Sequence, residues 1–276
     1  MRSNLASTFT VLAVVSLFNL SQGGAATLYS NDAPNGLIGV GSRPGVGGKI
    51  EIEAADDFIL PVGGTVTGAT FTGIITGTSP VMGSLDVEIY RVFPKDSDTG
   101  RTPNVVTRTN SPSDVAFDIR ISPADLFFTV STISTSITTQ NSVLNGINKS
   151  PNQTTGGEGA VSGTEVQFVV TFTNPFTLPA DHYFFIPQVQ VTGGEFFWLS
   201  AARPTSPPFT PDLQAWVRNA NLDPDWSRVG TDIVGGAPAP MFNMAFSLQG
   251  TTVPEPAAFG LIGLAIGGLI LARRKT

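Results

Sequence analysis

The chain has one histidine, His182, and no cysteine, so few of its side chains could act in catalysis. A Ser-His-Asp mechanism would need His182 as the general base, and no Gly-x-Ser-x-Gly elbow is present to hold a nucleophilic serine. A zinc site would depend mainly on carboxylates, because thiolates are absent and one imidazole is available. We therefore predict no catalytic residue, no cofactor and no transition-metal site, and we interpret His182 as a structural residue.

Asp96 and Asp98 stand two residues apart, just before Gly100. Closely spaced carboxylates are typical of calcium-binding loops, because hard cations need several oxygen ligands. The segment lacks the later acidic ligands of such a loop, which makes a solvated turn the simpler interpretation. A calcium site at Asp96 and Asp98 stays open as a hypothesis.

Aromatic rings supply a second kind of candidate site, because sugar-binding surfaces use exposed rings as platforms. A carbohydrate-binding module is therefore one alternative function, and it requires rings that are open to solvent, although the same rings suit a hydrophobic core. A surface hydrolase is another alternative, and it requires a cleft with converging carboxylates. The rings concerned are Tyr90, Phe196, Phe197, Trp198, Trp216 and Trp226.

The elements that must position these residues are strands. Much of the chain alternates apolar and polar residues with a period of two, or is rich in β-branched and aromatic residues, and no segment has the length of a helix. We predict an all-β fold of about nine or ten strands, an antiparallel β-sandwich of jelly-roll-like or immunoglobulin-like topology. The candidate strands are residues 50–52, 65–75, 85–89, 126–133, 166–172, 183–191, 196–199, 213–217 and 244–248.

Residues 27–252 are predicted to form this body as one domain, with polar loops at 96–114 and 145–163. The alternative is a pair of small sandwiches split near Gly156. Ser122 and Pro123 suit the cap and the first position of a helix, so one helical turn is expected there between strands.

The body is acidic. Without the four basic residues and the one acidic residue of the two ends, it has 11 basic and 20 acidic residues and a net charge of −9. Such a body repels phosphate backbones, so we expect no nucleic-acid partner.

The N-terminal segment 1–26 has the three parts of a secretory signal peptide. Arg2 gives a basic start, residues 9–20 are apolar, and Gly24, Ala25 and Ala26 form a small-residue cleavage site. The apolar run is shorter than the roughly 20 residues that a spanning helix needs. We predict cleavage after Ala26.

The C-terminal segment 253–276 also has three parts. Pro254, Glu255 and Pro256 come first, an apolar run predicts a transmembrane helix over residues 257–272, and Arg273, Arg274 and Lys275 begin the basic tail 273–276. The two prolines keep the junction extended. The basic cluster is a cytoplasmic stop-transfer signal by the positive-inside rule.

This order of Pro-Glu-Pro, apolar helix and basic tail resembles the PEP-CTERM sorting signal. Body segments 55–58, 90–94, 198–200 and 226–230 also resemble uncharacterised PEP-CTERM proteins. The resemblance implies an exosortase-type membrane protease as a partner, which reads Pro254, Glu255 and Pro256 as its substrate. It also implies a transient inner-membrane precursor and a final place at the cell surface or in an extracellular matrix, with exopolysaccharide and biofilm as the associated context. We expect a non-enzymatic protein.

Overall fold

The computed structural model describes residues 26–100, 109–147, 154–205, 208 and 214–253. This part of the chain is nearly all β, which confirms the predicted class. No helix within it is long and apolar enough to cross a membrane. The predicted transmembrane helix 257–272, the basic tail and the signal peptide before Ala26 lie outside the described residues.

The described residues form fifteen strands and one six-residue π-helix, Val229–Val234. The strands are β1 (Ala26–Asn31), β2 (Pro34–Gly41), β3 (Ile52–Leu60), β4 (Gly64–Ile75), β5 (Val81–Val92), β6 (Pro112–Ile121), β7 (Leu126–Thr138), β8 (Asn141–Val143), β9 (Ser162–Leu178), β10 (Asp181–Thr192), β11 (Phe196–Ala201), β12 (Trp216–Asn219), β13 (Ser227–Arg228), β14 (Asn243–Met244) and β15 (Phe246–Thr252).

The strands pair into two sheets. The larger sheet has nine strands and follows the order β1-β15-β4-β11-β2-β8, while β9 pairs with β4, β7 with β9, and β14 with β11. The smaller sheet has six strands in the order β13-β12-β3-β10-β5-β6. Every pair between these strands is antiparallel except β2 with β8, which is parallel. Strands from before and after Gly156 lie in each sheet.

Aromatic side chains fill the space between the sheets. Phe185 on β10 stacks on Phe246 of β15, with 4.9 Å between ring centroids, and Trp198 of β11 meets the edge of both rings. The indole N–H of Trp198 donates to the carbonyl of Ala245 at 3.0 Å, so its one polar atom is satisfied inside the core. Burying one such ring contributes about 2–3 kcal/mol.

A buried carboxylate links the two sheets through hydrogen bonds. Asp56 on β3 is fully buried and accepts the backbone N–H of Met244 at 2.8 Å and the side-chain amide of Asn243 at 3.3 Å, both from β14. Burial raises its pKa well above the usual value, and the neighbouring Asp57 raises it further. Asp56 thus satisfies donors of the larger sheet from a strand of the smaller one.

Each of the nine predicted segments overlaps an observed strand, and segment 244–248 includes residues of both β14 and β15, whereas β1, β2, β6, β8 and β13 were not predicted. One hydrogen-bonded turn does lie there, with the N–H of Asp125 donating to the carbonyl of Ile121 at 2.9 Å, but the expected helix cap at Ser122 is wrong. Residues 122–125 form a turn between β6 and β7, and the Ser122 hydroxyl accepts the N–H of Leu85 instead of capping a helix.

Replacing Asp56 with Ala should lower the free energy of unfolding by about 1–3 kcal/mol, because two buried donors lose their acceptor. The exposed Asp32 offers a matched control, and Asp32→Ala should change stability by less than about 0.5 kcal/mol. Urea denaturation measures both. Equal stability of the two variants would contradict the structural role of Asp56.

Candidate functional site

The sorting segment follows directly on a fixed strand. β15 ends at Thr252, and the N–H of Val253 donates to the carbonyl of Gly63 at 2.7 Å. The side chain of Val253 is exposed. Pro254, Glu255 and Pro256, together with Arg273, Arg274 and Lys275, lie outside the described residues. The chain is therefore held by the sheet up to the last residue before the Pro-Glu-Pro motif.

The predicted signal-cleavage site lies beside this exit. β1 begins at Ala26, which pairs with Gly250 of β15, and Thr27 pairs with Gln249. Because the two strands are antiparallel, the chain enters β1 at the same end of the sheet where it leaves β15. Both apolar ends of the sequence thus join the body at one place.

A buried charge cluster lies on the smaller sheet. The Arg218 guanidinium of β12 forms an ion pair with Glu53 of β3, and its Nη2 is 2.8 Å from Glu53 Oε1. The same nitrogen donates to the Tyr90 hydroxyl at 2.7 Å, and the guanidinium lies 4.4 Å from the ring centroid of Trp226. Asp223, which is exposed, gives a second ion pair at 2.9 Å. Arg218 is paired and hydrogen-bonded, as a buried charge must be.

Glu88 lies next to this cluster on β5. Burial raises its pKa to about 8, and the negative charge of Glu53 is the next cause. At neutral pH the carboxyl is therefore mainly protonated and can donate a hydrogen bond. An acid of this kind can serve as a proton donor. The neighbouring carboxylate, Glu53, forms an ion pair with Arg218. The geometry is that of a neutralised structural cluster.

Sequence reasoning missed this cluster. Glu53 and Glu88 stand at alternating polar positions of two candidate strands, and such positions usually face water. No pattern in the sequence links Glu53 with Arg218, which are 165 residues apart. The one available signal was the acidic alternation itself, with Glu51 and Glu53 on either side of Ile52 and with Asp86 and Glu88 on β5.

His182 lies at the start of β10, where its Nε2 is 2.6 Å from Asp57 Oδ2. The imidazole also stacks on the Phe184 ring with 5.7 Å between centroids. Burial raises the pKa of Asp57, and the hydrogen bond and charge of His182 oppose that shift. The histidine thus pairs with a buried carboxylate in the middle of β3.

The two aspartates of the calcium hypothesis lie in the turn after β5. Asp96 has a positive φ of 57°, and its carboxylate is 3.8 Å from the Arg91 guanidinium. Asp98 accepts the N–H of Gly100 at 3.0 Å and donates its own N–H to Asp114 at 2.8 Å. Within the described residues, no group of three or more acidic or histidine side chains could hold a metal ion. Calcium binding by Asp96 and Asp98 stays a prediction.

The proposed sugar platform is wrong for the six rings named above. They are almost completely buried, with Trp198 and Trp216 at 0% exposure, so no ring face is open for stacking on a sugar. The Tyr90 ring meets Trp226 edge to face at 5.5 Å between centroids, as in a core. Surface depressions beside Lys49, Phe127 and Tyr29 are not lined by carboxylates.

The four body segments singled out in the sequence have structural roles. Residues 55–58 include the buried Asp56 and Asp57, and residues 90–94 and 226–230 begin with the two rings beside Arg218. Residues 198–200 begin with the core Trp198. Together they define a two-sheet body that ends in a fixed strand and continues into a sorting segment.

Comparison with known proteins identifies that segment. Residues 252–275 match the family described as the PEP-CTERM protein-sorting motif, which confirms the resemblance found in the sequence. No curated protein and no solved structure matches the chain. Proteins with this motif are processed by exosortase, a membrane protein. The chain carries a PEP-CTERM sorting motif, which implies a secreted, exosortase-processed surface protein.

Replacing Arg218 with Met should destabilise the protein by about 3–5 kcal/mol, because Glu53 is left buried without its partner. Adding Glu53→Gln should restore much of that loss, since the buried negative charge is then removed. Urea denaturation of the two variants provides the measurement. A double variant as unstable as the single one would contradict the charge-pairing account.

Glu88 should make stability depend on pH. Its pKa of about 8 in the folded protein lies above the value of 4.5 expected without burial, so the folded state binds the proton more tightly. This contribution is complete below pH 4.5 and is lost as the pH rises towards 8. The side chain of Glu88→Gln cannot titrate. Between pH 5 and pH 8 the free energy of unfolding should therefore fall by about 1–3 kcal/mol more in the wild type than in this variant. Identical pH profiles of denaturation would contradict the raised pKa.

Proposed function

We propose that the chain is a non-enzymatic protein of the cell surface or extracellular matrix, in which processing at both ends leaves residues 27–252 as a single β-sandwich body. The observation that carries the proposal is the PEP-CTERM match at residues 252–275, which begins on the last residue of β15. Signal peptidase removes residues 1–26, and the helix 257–272 holds the precursor in the inner membrane until exosortase acts. Exopolysaccharide of a biofilm matrix is the proposed setting of the mature protein.

The pairing of β1 with β15 supports this route. Ala26 and Gly250 are register partners, so both apolar ends meet the body at one end of the larger sheet. Both can then lie in one membrane while the folded body stays outside. The proposal predicts that the processed termini lie side by side.

The exposed side chain of Val253 supports processing at the adjoining Pro254, Glu255 and Pro256. Prolines exclude a helix and keep the backbone extended, which is the form a protease binds. Among the described residues, the N–H of Val253 is the last backbone group bound to the sheet, so the protease would meet an extended segment that starts at a fixed point.

A structural role of the body is supported by what its chemical groups already do. Arg218 is paired with Glu53, and His182 is paired with Asp57. The six candidate rings are buried. The groups that a hydrolase or a sugar-binding module would use are thus engaged in holding the fold.

The intact mass of the protein purified from its native host tests the proposal. The wild type should lack the signal peptide 1–26 and the C-terminal tail, whereas replacement of Pro254, Glu255 and Pro256 by Ala should leave the tail in place. Thr251→Ala, an exposed change in β15 just before the motif, is the matched control and should be processed like the wild type. A tail that is intact in the wild type would contradict exosortase processing.

A further inference from the structure

β7 is a long strand with one free edge. It runs over thirteen residues, Leu126–Thr138, and β9 is its only strand partner among the described residues. Its other edge therefore presents backbone N–H and C=O groups to solvent over about 40 Å. Such an edge is a ready template for another strand.

The usual protections of an edge strand are missing from most of β7. Natural edge strands carry charged side chains or proline, or they are very short. Residues 126–147 contain no charged residue and no proline. Two irregularities in the pairing with β9 lie near Ser134, whereas the stretch from Leu126 to Thr132 pairs in regular register. The first half of β7 is thus an open and regular edge.

Apolar side chains flank this edge on its exposed surface. Phe127 is 61% exposed, Ile133 is 54% exposed, and Val169 on the adjacent β9 is 41% exposed. Val169 pairs with Thr129, two residues from Phe127, so the two apolar side chains are diagonal neighbours. A strand added at the free edge of β7 would cover part of this apolar surface.

The other free edges are poorly suited to accept a strand. β8 has three residues and β13 has two, while β1 has six and lies where the chain ends leave the sheet. β6 carries Asp114, Asp118 and Arg120 among its ten residues. β7 is the one described edge that is both long and uncharged.

The spacing of apolar residues on β7 favours a second copy as the occupant, because Phe127 and Ile133 lie three residues before and after Val130 and so face each other when two identical strands pair antiparallel about that residue. At a net charge of −9, two copies repel each other over most of their surfaces. They approach with least repulsion where each surface is uncharged, and β7 offers such a surface. A two-fold arrangement also needs only one self-complementary patch, because an isologous contact uses the same residues twice.

We propose that two copies of this chain pair through their β7 strands in antiparallel orientation, which joins their larger sheets into one. A two-fold axis at Val130 places Phe127 of each copy opposite Ile133 of the other and buries the exposed apolar residues. The contact is a single strand edge with a small apolar patch, so the dimer is reversible and forms more completely as concentration rises. The pairing does not depend on exosortase processing.

Sedimentation of the full chain in detergent over a range of concentrations tests the pairing. The wild type should dimerise, and Ser131→Lys should weaken dimerisation about tenfold or more, because it brings two like charges together at the strand edge. Thr78→Lys adds the same charge at an exposed position away from β7 and should leave dimerisation unchanged. A wild type that stays monomeric, or a Ser131→Lys variant that dimerises as well as Thr78→Lys, would overturn the proposal.

Single cysteines test the orientation, because the chain has none of its own. Val130→Cys should form a covalent dimer on mild oxidation, since the residue lies on the proposed axis. Thr135→Cys and the exposed loop variant Ser79→Cys should not. Cross-linking at both 130 and 135 would indicate a parallel contact and overturn the antiparallel one, and cross-linking at 79 alone would place the contact elsewhere.

Discussion

β15 is hydrogen-bonded on both of its edges, to β1 and to β4, and the positions of both chain ends depend on this pairing. It fixes Ala26 beside Gly250, and it holds the chain in the sheet to Thr252, where the PEP-CTERM match begins. The strand is also part of the core, since Phe246 packs on Phe185 of the opposite sheet. The last element before the sorting motif is therefore among the best-anchored elements of the body, and a body that folds before processing presents the motif from a rigid support.

Two buried polar arrangements complete this support. Asp56 bonds across from β3 to β14, and Arg218 joins β12 to Glu53 on β3. Both arrangements cost desolvation and are favourable only when every partner is in place, because an unpaired buried charge is expensive. They account for the buried acidic and aromatic residues of segments 55–58, 90–94 and 226–230 as requirements of folding.

The sorting motif and the fold class could be predicted from the sequence because their signals are local. The order of Pro-Glu-Pro, apolar run and basic tail is complete within the segment 253–276, and strand alternation is visible in single segments such as 85–89. β13 and β14 have two residues each, too few for any period, and exist only through their partners. Apolar and polar residues also alternate along β6, which was not predicted. Its apolar side chains Phe117 and Ile119 are exposed, so alternation in this strand does not indicate a buried face.

The candidate sites were less predictable, because they depend on pairing between distant parts of the chain. The alternation of a strand shows that an aromatic residue could be buried. Trp198 is buried because the opposing sheet packs against it. The same holds for charges, since a strand pattern places Glu53 at a polar position and only the fold places Arg218 beside it. Sequence reasoning therefore left open whether these rings form a sugar platform or a core, and it missed the buried ion pair.

Hydrogen exchange of the processed protein, read by mass spectrometry, tests most directly whether the sheet holds both ends. The account predicts that backbone amides of β15 exchange as slowly as those of the central strand β4, up to the end of the strand, and that β1 is protected beside it. Rapid exchange over Phe246–Thr252, as fast as in the exposed loop around Thr78, would show that β15 is not stably hydrogen-bonded in the sheet. That result would contradict the account.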